Sequence, residues 1–168
     1  MHSSVQGSGM TNEIKQREMT LDEALKLLRG GADGIAEWNR CRDEDEEVPS
    51  LKGADLRGAD LSGANLSGAK GLPATPVVPR LHRDVAAIVG PKGEHLDMGV
   101  WHSSCGTAHC RAGAAIVAAG PEGEQLEGQY GSSVAGALIY QASVGYVPNF
   151  FATDEVALAD IRARAEES

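Results

Sequence analysis

Apolar residues fall into three patterns along the chain, and each predicts a different kind of element. From Leu21 the spacing is helical: Leu21, Leu25 and Leu28 form one stripe, with Ala24 and Leu27 beside it. Thr20 stands where an N-cap belongs, and Glu23 three residues later completes a capping box. Gly30-Gly31 interrupts the run, Ile35, Ala36 and Trp38 resume it, and the acidic stretch Asp43–Glu47 ends it as a solvated turn. The pattern reads as a flexible leader over residues 1–19 and a capping helix over 20–47.

The second pattern repeats every five residues. PSLKG, ADLRG, ADLSG, ANLSG and a degraded AKGLP follow one another from Pro49, with Leu51, Leu56, Leu61 and Leu66 in strict register and Ala54, Ala59, Ala64 and Ala69 recurring between them. A period of five matches neither the 3.6 of a helix nor the 2 of a strand. It predicts a chain that turns a corner every five residues, with large and small side chains pointing inward. The triplets Ala54-Asp55-Leu56, Ala59-Asp60-Leu61 and Ala64-Asn65-Leu66 carry the motif A(D/N)LXX, and on these residues the segment resembles the pentapeptide-repeat family.

The resemblance implies a right-handed quadrilateral β-helix over residues 48–72. In it Leu51, Leu56, Leu61 and Leu66 with Ala54, Ala59 and Ala64 would face inward, and Asp55, Asp60, Lys52 and Arg57 outward. Four sides make one coil, and one coil cannot bury its own ends. The segment is therefore expected to lie between the N-terminal helix and whatever follows Pro73. The family is best known for long coils that mimic DNA and act on gyrase. One coil is too short for that surface, so the role is not expected here.

The third pattern follows a proline-rich joint at residues 73–79 and is helical again. Leu81, Val85, Ile88 and Val89 predict one helix with a buried face. Thr107 is a candidate cap for a second over 108–119, stopped by Gly120-Pro121. A third is expected over 121–129, a fourth from Ser132 or Ser133 to Ser143, and a fifth from Thr153-Asp154 with Val156, Ala159 and Ile161 inward. Gly113 and Gly136, among alanines, would let helices approach closely. The whole reads as an α+β protein: a single-coil quadrilateral β-helix, capped by a helix and followed by an α-helical bundle over 80–168.

Composition changes this picture in two ways. The chain of 168 residues holds 21 glycines and 24 alanines, and only 4% of it is aromatic, so its core must be made by close backbone approach. A net charge of -9, from 15 basic and 24 acidic side chains, leaves no segment able to neutralise phosphates, so no direct nucleic-acid binding is expected. There is no apolar run of spanning length, and residues 1–10 lack the apolar stretch of a secretory signal. Three cysteines make no disulfide framework. A cytoplasmic location follows as an expectation, with an unidentified protein partner or a second copy of the chain.

One cluster could carry chemistry. Residues 101–111 hold His102, Cys105, His109 and Cys110, four nitrogen and sulfur ligands of the kind zinc takes, though without the spacing of a common zinc module. The same residues allow a thiol nucleophile. With Thr107 as cap, His109 and Cys110 would occupy the second and third helical positions, where the helix dipole favours a thiolate. His102 would then be the base, and Arg111 would help to hold an anion. The arrangement is faintly similar to cysteine peptidases, whose catalytic Cys opens a helix, but no orienting Asn or Asp can be assigned.

The third reading is a buried structural thiol, with Cys110 packed beside Ala114 and Val117. The C-terminal stretch is similar to bacterial and phage segments of unassigned activity found behind pentapeptide repeats. Gly90-Pro91-Lys92-Gly93 is wrongly spaced for a phosphate loop, and no cofactor is implied. His82, His95 and Cys41 stand isolated, and Phe150-Phe151 reads as a core anchor. The sequence thus favours a non-enzymatic interaction or scaffold module, with a thiol- or metal-dependent activity at His102, Cys105, His109 and Cys110 as the alternative.

Overall fold

A computed structural model describes residues 18–44, 47–104 and 106–167; most of the expected leader, part of the acidic turn and Cys105 lie outside them. Seven helices form among the described residues, and none is long and apolar enough to cross a membrane. The first two, α1 (Leu21–Leu28) and α2 (Gly31–Asp43), make a hairpin. Its entry is the capping box that the sequence predicts: Thr20 Oγ1 accepts from the Glu23 N–H at 3.2 Å, and the Glu23 carboxylate accepts from the Thr20 N–H at 2.9 Å. Gly34 lets α2 close onto α1, since a Cβ there would lie 2.2 Å from the Leu27 carbonyl oxygen. Trp38 is then fully buried against the segment that follows.

That segment is four tight turns, one per five residues. The N–H groups of Ala54, Ala59, Ala64 and Ala69 each donate at 3.0 Å to the carbonyl three residues back, on Leu51, Leu56, Leu61 and Leu66. Gly53, Gly58, Gly63 and Gly68 take φ between +68° and +73°, the third-position geometry of a type II turn, which only glycine adopts without strain. The four leucines are buried, as are Ala59 and Ala64, while Ala54 is half-buried. Lys52, Asp55 and Arg57 face solvent, and Asp60 is partly covered.

The expected α+β class and its quadrilateral β-helix are not seen. No strand exists among the described residues, where the β-type pairing is limited to isolated bridges at Leu96, His102 and His109. A β-ladder needs a second coil at strand spacing to receive the backbone donors and acceptors of the first. Here the chain makes one circuit and meets itself where the Leu51 N–H donates to the Lys70 carbonyl at 2.8 Å.

Several further groups of the turns are met from α2 on one side and from α5, α6 and the loop after α6 on the other. From α2, Trp38 Nε1 donates to the Asn65 carbonyl and Asn39 Nδ2 to the Gly63 carbonyl, both at 2.9 Å. Asn39 Oδ1 accepts from the Asn65 N–H at 2.7 Å. From the C-terminal side, the Pro148 and Tyr130 carbonyls accept from Gly63 and Gly58 at 3.2 and 3.4 Å. Ser133 donates to Asp60 at 3.0 Å.

The C-terminal helices are α3 (Leu81–Val89), α4 (Arg111–Ala118), α5 (Gly120–Tyr130), α6 (Ser132–Val144) and α7 (Asp154–Glu167). Helices α4 and α6 form the centre. Every residue from Val134 to Tyr140 is buried, so α6 is apolar all round, as a helix enclosed by neighbours must be. A Cβ on Gly136 would sit 2.6 Å from the Ala112 Cβ, so this glycine does bring two helices together. Gly113 instead receives the Trp101 carbonyl of the preceding loop, 1.9 Å from where its Cβ would be.

Three helical details differ from expectation. Helix α4 is capped by Cys110 and not by Thr107, because the backbone before it is already committed: the His109 N–H donates to the His95 carbonyl at 2.9 Å and the Asp97 N–H to the His109 carbonyl at 3.0 Å. Val117 is turned to the surface and does not share the inward face of Cys110 and Ala114. On α7 the inward pair is Ala157 and Ile161, which leaves Val156 60% exposed and Ala159 outside.

Candidate functional site

The loop between α3 and α4 folds back on itself and brings two histidines together, their rings nearly perpendicular at 80°. Ser103 makes the turn: its N–H donates to the Ala108 carbonyl at 2.8 Å, and its Oγ accepts from the Ala108 and Thr107 N–H groups at 2.9 and 3.2 Å. Residues 102 and 109 thereby form an antiparallel bridge, and their rings meet at Nδ1 to Nδ1, 2.8 Å apart. His102 Nε2 lies 3.1 Å from Glu127 Oε1 on α5, and the same carboxylate oxygen accepts from Ser132 Oγ at 2.5 Å. Four polar side chains from three parts of the chain are thus linked in a row.

The short nitrogen–nitrogen contact fixes a proton count. One ring must donate and the other accept, so a single proton lies between the two Nδ1 atoms. Protonating both rings fully would aim two N–H groups at each other. Burial, helped by the neighbouring His102 and His95, holds the His109 imidazolium pKa below the usual histidine value, against the opposing pull of the Gly106 backbone. His109 is therefore neutral near pH 7.

Cys110 is next to this pair but does not join it. Its thiol is 1% exposed and, as the cap of α4, accepts from the Gly113 N–H at 3.4 Å. Burial pushes the thiol pKa up, in spite of the helix N–H groups that pull it down. Arg111, the expected anion holder, turns away from the thiol: its Nε donates to Tyr140 Oη at 3.1 Å and its Nη1 to Asp160 at 2.5 Å. Among the described residues no three His, Cys, Asp or Glu side chains stand where they could hold a metal ion. The structure thus brings His102 and His109 together, sets Cys110 apart from them, and leaves Cys105 outside the described residues.

Glu127 and Ser132 were not legible as part of this row. Glu127 falls within the helix expected over 121–129, where nothing in the spacing sets it apart from the neighbouring glutamates and glutamines, and Ser132 reads as a helix start. The second aromatic of the Phe150-Phe151 pair is also misplaced by sequence reasoning. Phe150 is buried, but Phe151 is 62% exposed at the edge of an open groove of about 600 Å³. Ala32, Ile35 and Ala36 of α2 line that groove, together with Gly63 of the turns.

The comparison with protein families bears on the turns. A family model described as pentapeptide repeats (8 copies) matches residues 50–70. This stretch is a pentapeptide-repeat segment. No curated protein and no solved structure matches the chain. The match coincides with the residues that take the glycine-supported turns, and it ends before the Pro-rich joint. The pentapeptide-repeat segment borders the groove through Asp60, Ser62 and Gly63, so the family resemblance and the exposed Phe151 meet at one surface.

Proposed function

We propose that the protein acts without catalysis, as an interaction or scaffold module whose contact surface is the groove between α2, the pentapeptide-repeat segment and Phe151. The observation that carries this reading is Phe151 itself. Beyond an edge contact with Trp101, a phenylalanine 62% exposed beside an apolar groove returns little burial to the fold, whereas aromatic anchors are the residues on which binding energy concentrates. Several polar atoms along the groove are engaged within the fold: Asn39 bonds the Gly63 carbonyl and the Asn65 N–H, and Ser62 Oγ accepts from the Phe150 N–H at 2.8 Å. The surface offers shape and apolar area.

A photo-crosslinking side chain placed at Phe151 in the source cells tests the reading. A discrete adduct is expected that is missing when the same group replaces the exposed Lys92, which lies outside the groove. Identical labelling from both positions would remove the reading.

A further inference from the structure

The repeat contains an internal comparison for one of its acidic side chains. In the turn ADLRG, Asp55 is matched from within: its carboxylate accepts from Arg57 Nε and Nη2 at 2.8 and 2.9 Å, and Arg29 at the end of α1 stands 3.3 Å away. In the next turn, ADLSG, Asp60 holds the same place, and Ser62 stands where the arginine was. Asp60 Oδ1 accepts from the Ser62 N–H and from the Ser133 hydroxyl, both at 3.0 Å. Among the described residues no donor is found on Oδ2, and no cation pairs with the carboxylate. The third turn, ANLSG, has Asn65 at this position and no charge to balance.

Asp60 and Phe151 line the groove beside α2, and both also line a second cleft of about 260 Å³, together with Trp101, Tyr130 and Ser133. The Trp101 and Phe151 rings stand nearly at right angles there, at 80° with centroids 6.1 Å apart. Asp60 is the single charged residue on the walls of either cleft, and the nearby Arg57 is held by Asp55. We infer that the smaller cleft receives an arginine side chain of the protein partner, while an apolar neighbour of that arginine lies in the larger groove. The inference rests on the groove being the contact surface. A partner seated on it removes water from Asp60, and a neutral or acidic occupant would leave that carboxylate covered and unmatched, which is costly. Three aromatic rings select among cations. A guanidinium is planar and weakly hydrated, so it lies against aromatic rings at less cost than an ammonium does. The two clefts share Asp60 and Phe151, so one continuous segment of a partner can fill both.

Titration of the intact chain with the blocked peptide acetyl-Leu-Gly-Arg-amide, followed by NMR at the tryptophan indole N–H groups, tests the inference. The Trp101 signal is expected to move and that of the buried Trp38 to stay. Citrulline in place of the arginine keeps the shape and removes the charge, and should weaken binding about tenfold, the loss of a hydrogen bond between charged groups. Asp60→Asn should weaken the arginine peptide by the same factor of about ten and leave the citrulline peptide unchanged. The variant keeps an acceptor for Ser62 and Ser133, and the next turn already carries this residue: Asn65 Oδ1 accepts from the Ser67 N–H at 3.2 Å. No movement at Trp101, equal affinity for the two peptides, unchanged arginine-peptide affinity in Asp60→Asn, or tighter binding of choline than of the arginine peptide would each overturn the inference. In the source cells, the adduct from the crosslinker at Phe151 should fade in Asp60→Asn. An undiminished adduct would overturn the arginine inference and leave the groove standing as the contact surface.

Discussion

Cys110 occupies the N-cap of α4, and that position pulls its thiol in two directions. The helix N–H groups stabilise a thiolate, while near-complete burial favours the neutral thiol, and burial wins. In a Cys41→Ser, Cys105→Ser background, Cys110 should therefore react with a disulfide reagent at pH 7 many-fold more slowly in the native protein than in urea. Fast native labelling would revive the nucleophile reading. The sequence could not show this, because Thr107 is as good a cap by residue type, and only the bridges of His109 to Leu96 and His102 disqualify it.

His109 carries the clearest dependence on pH. Its folded pKa lies below the unfolded value of 6.5, so the stability it supports is present above that value and is lost as the pH falls through the folded pKa. His82, whose pKa is lowered by burial and by Arg111 and Arg164, acts in the same sense. The melting temperature is expected to drop on going from pH 7.5 to pH 5, and to drop less in His109→Asn. An equal acid-induced drop in the variant would assign the effect to other groups.

At the scale of elements, the pentapeptide-repeat segment was legible as turns and illegible as an assembly. Leucine every fifth residue and a glycine two positions later specify a corner, and each corner forms where the sequence puts it. The period says nothing about what lies above and below the circuit, and with helices there no ladder forms. Helix ends marked by strong signals were equally readable, as at Thr20 and Gly120-Pro121. Inward faces were not always readable: on α7, Val156 and Ala157 differ little by pattern, and packing chose the alanine. Leu61 is fully buried inside the circuit, so Leu61→Ala should cost about 2–5 kcal/mol in urea denaturation. Lys52→Ala, on the outward side, should stay within about 0.5 kcal/mol.

At the scale of the molecule, the turns are clamped from both sides, by side chains of α2 on one and by two backbone carbonyls and a serine hydroxyl on the other. Asn39 and Trp38 hold Gly63 and Asn65 from α2, and Tyr130, Ser133 and Pro148 hold Gly58, Asp60 and Gly63 from the other side. A circuit sharing its core with both neighbours should not melt apart from either. The two tryptophans report on the two sides, so Trp101→Phe leaves a probe at α2 and Trp38→Phe a probe in the loop before α4. Both single-tryptophan variants are expected to show one transition whose midpoint matches that of the helices by circular dichroism. Separated midpoints within either variant would show independent units.

The closure of Leu51 on Lys70 also makes the segment a spacer of fixed phase. Each five-residue unit sets the heading of everything that leaves the circuit, much as a tooth sets a gear. Removing one unit would swing α3 and all that follows by a quarter of a circuit relative to α2, and would part Asp60 and Gly63 from their partners on one side or the other. Outward residues such as Lys52 and Arg57 are free to drift, while the length of the segment is held to whole circuits.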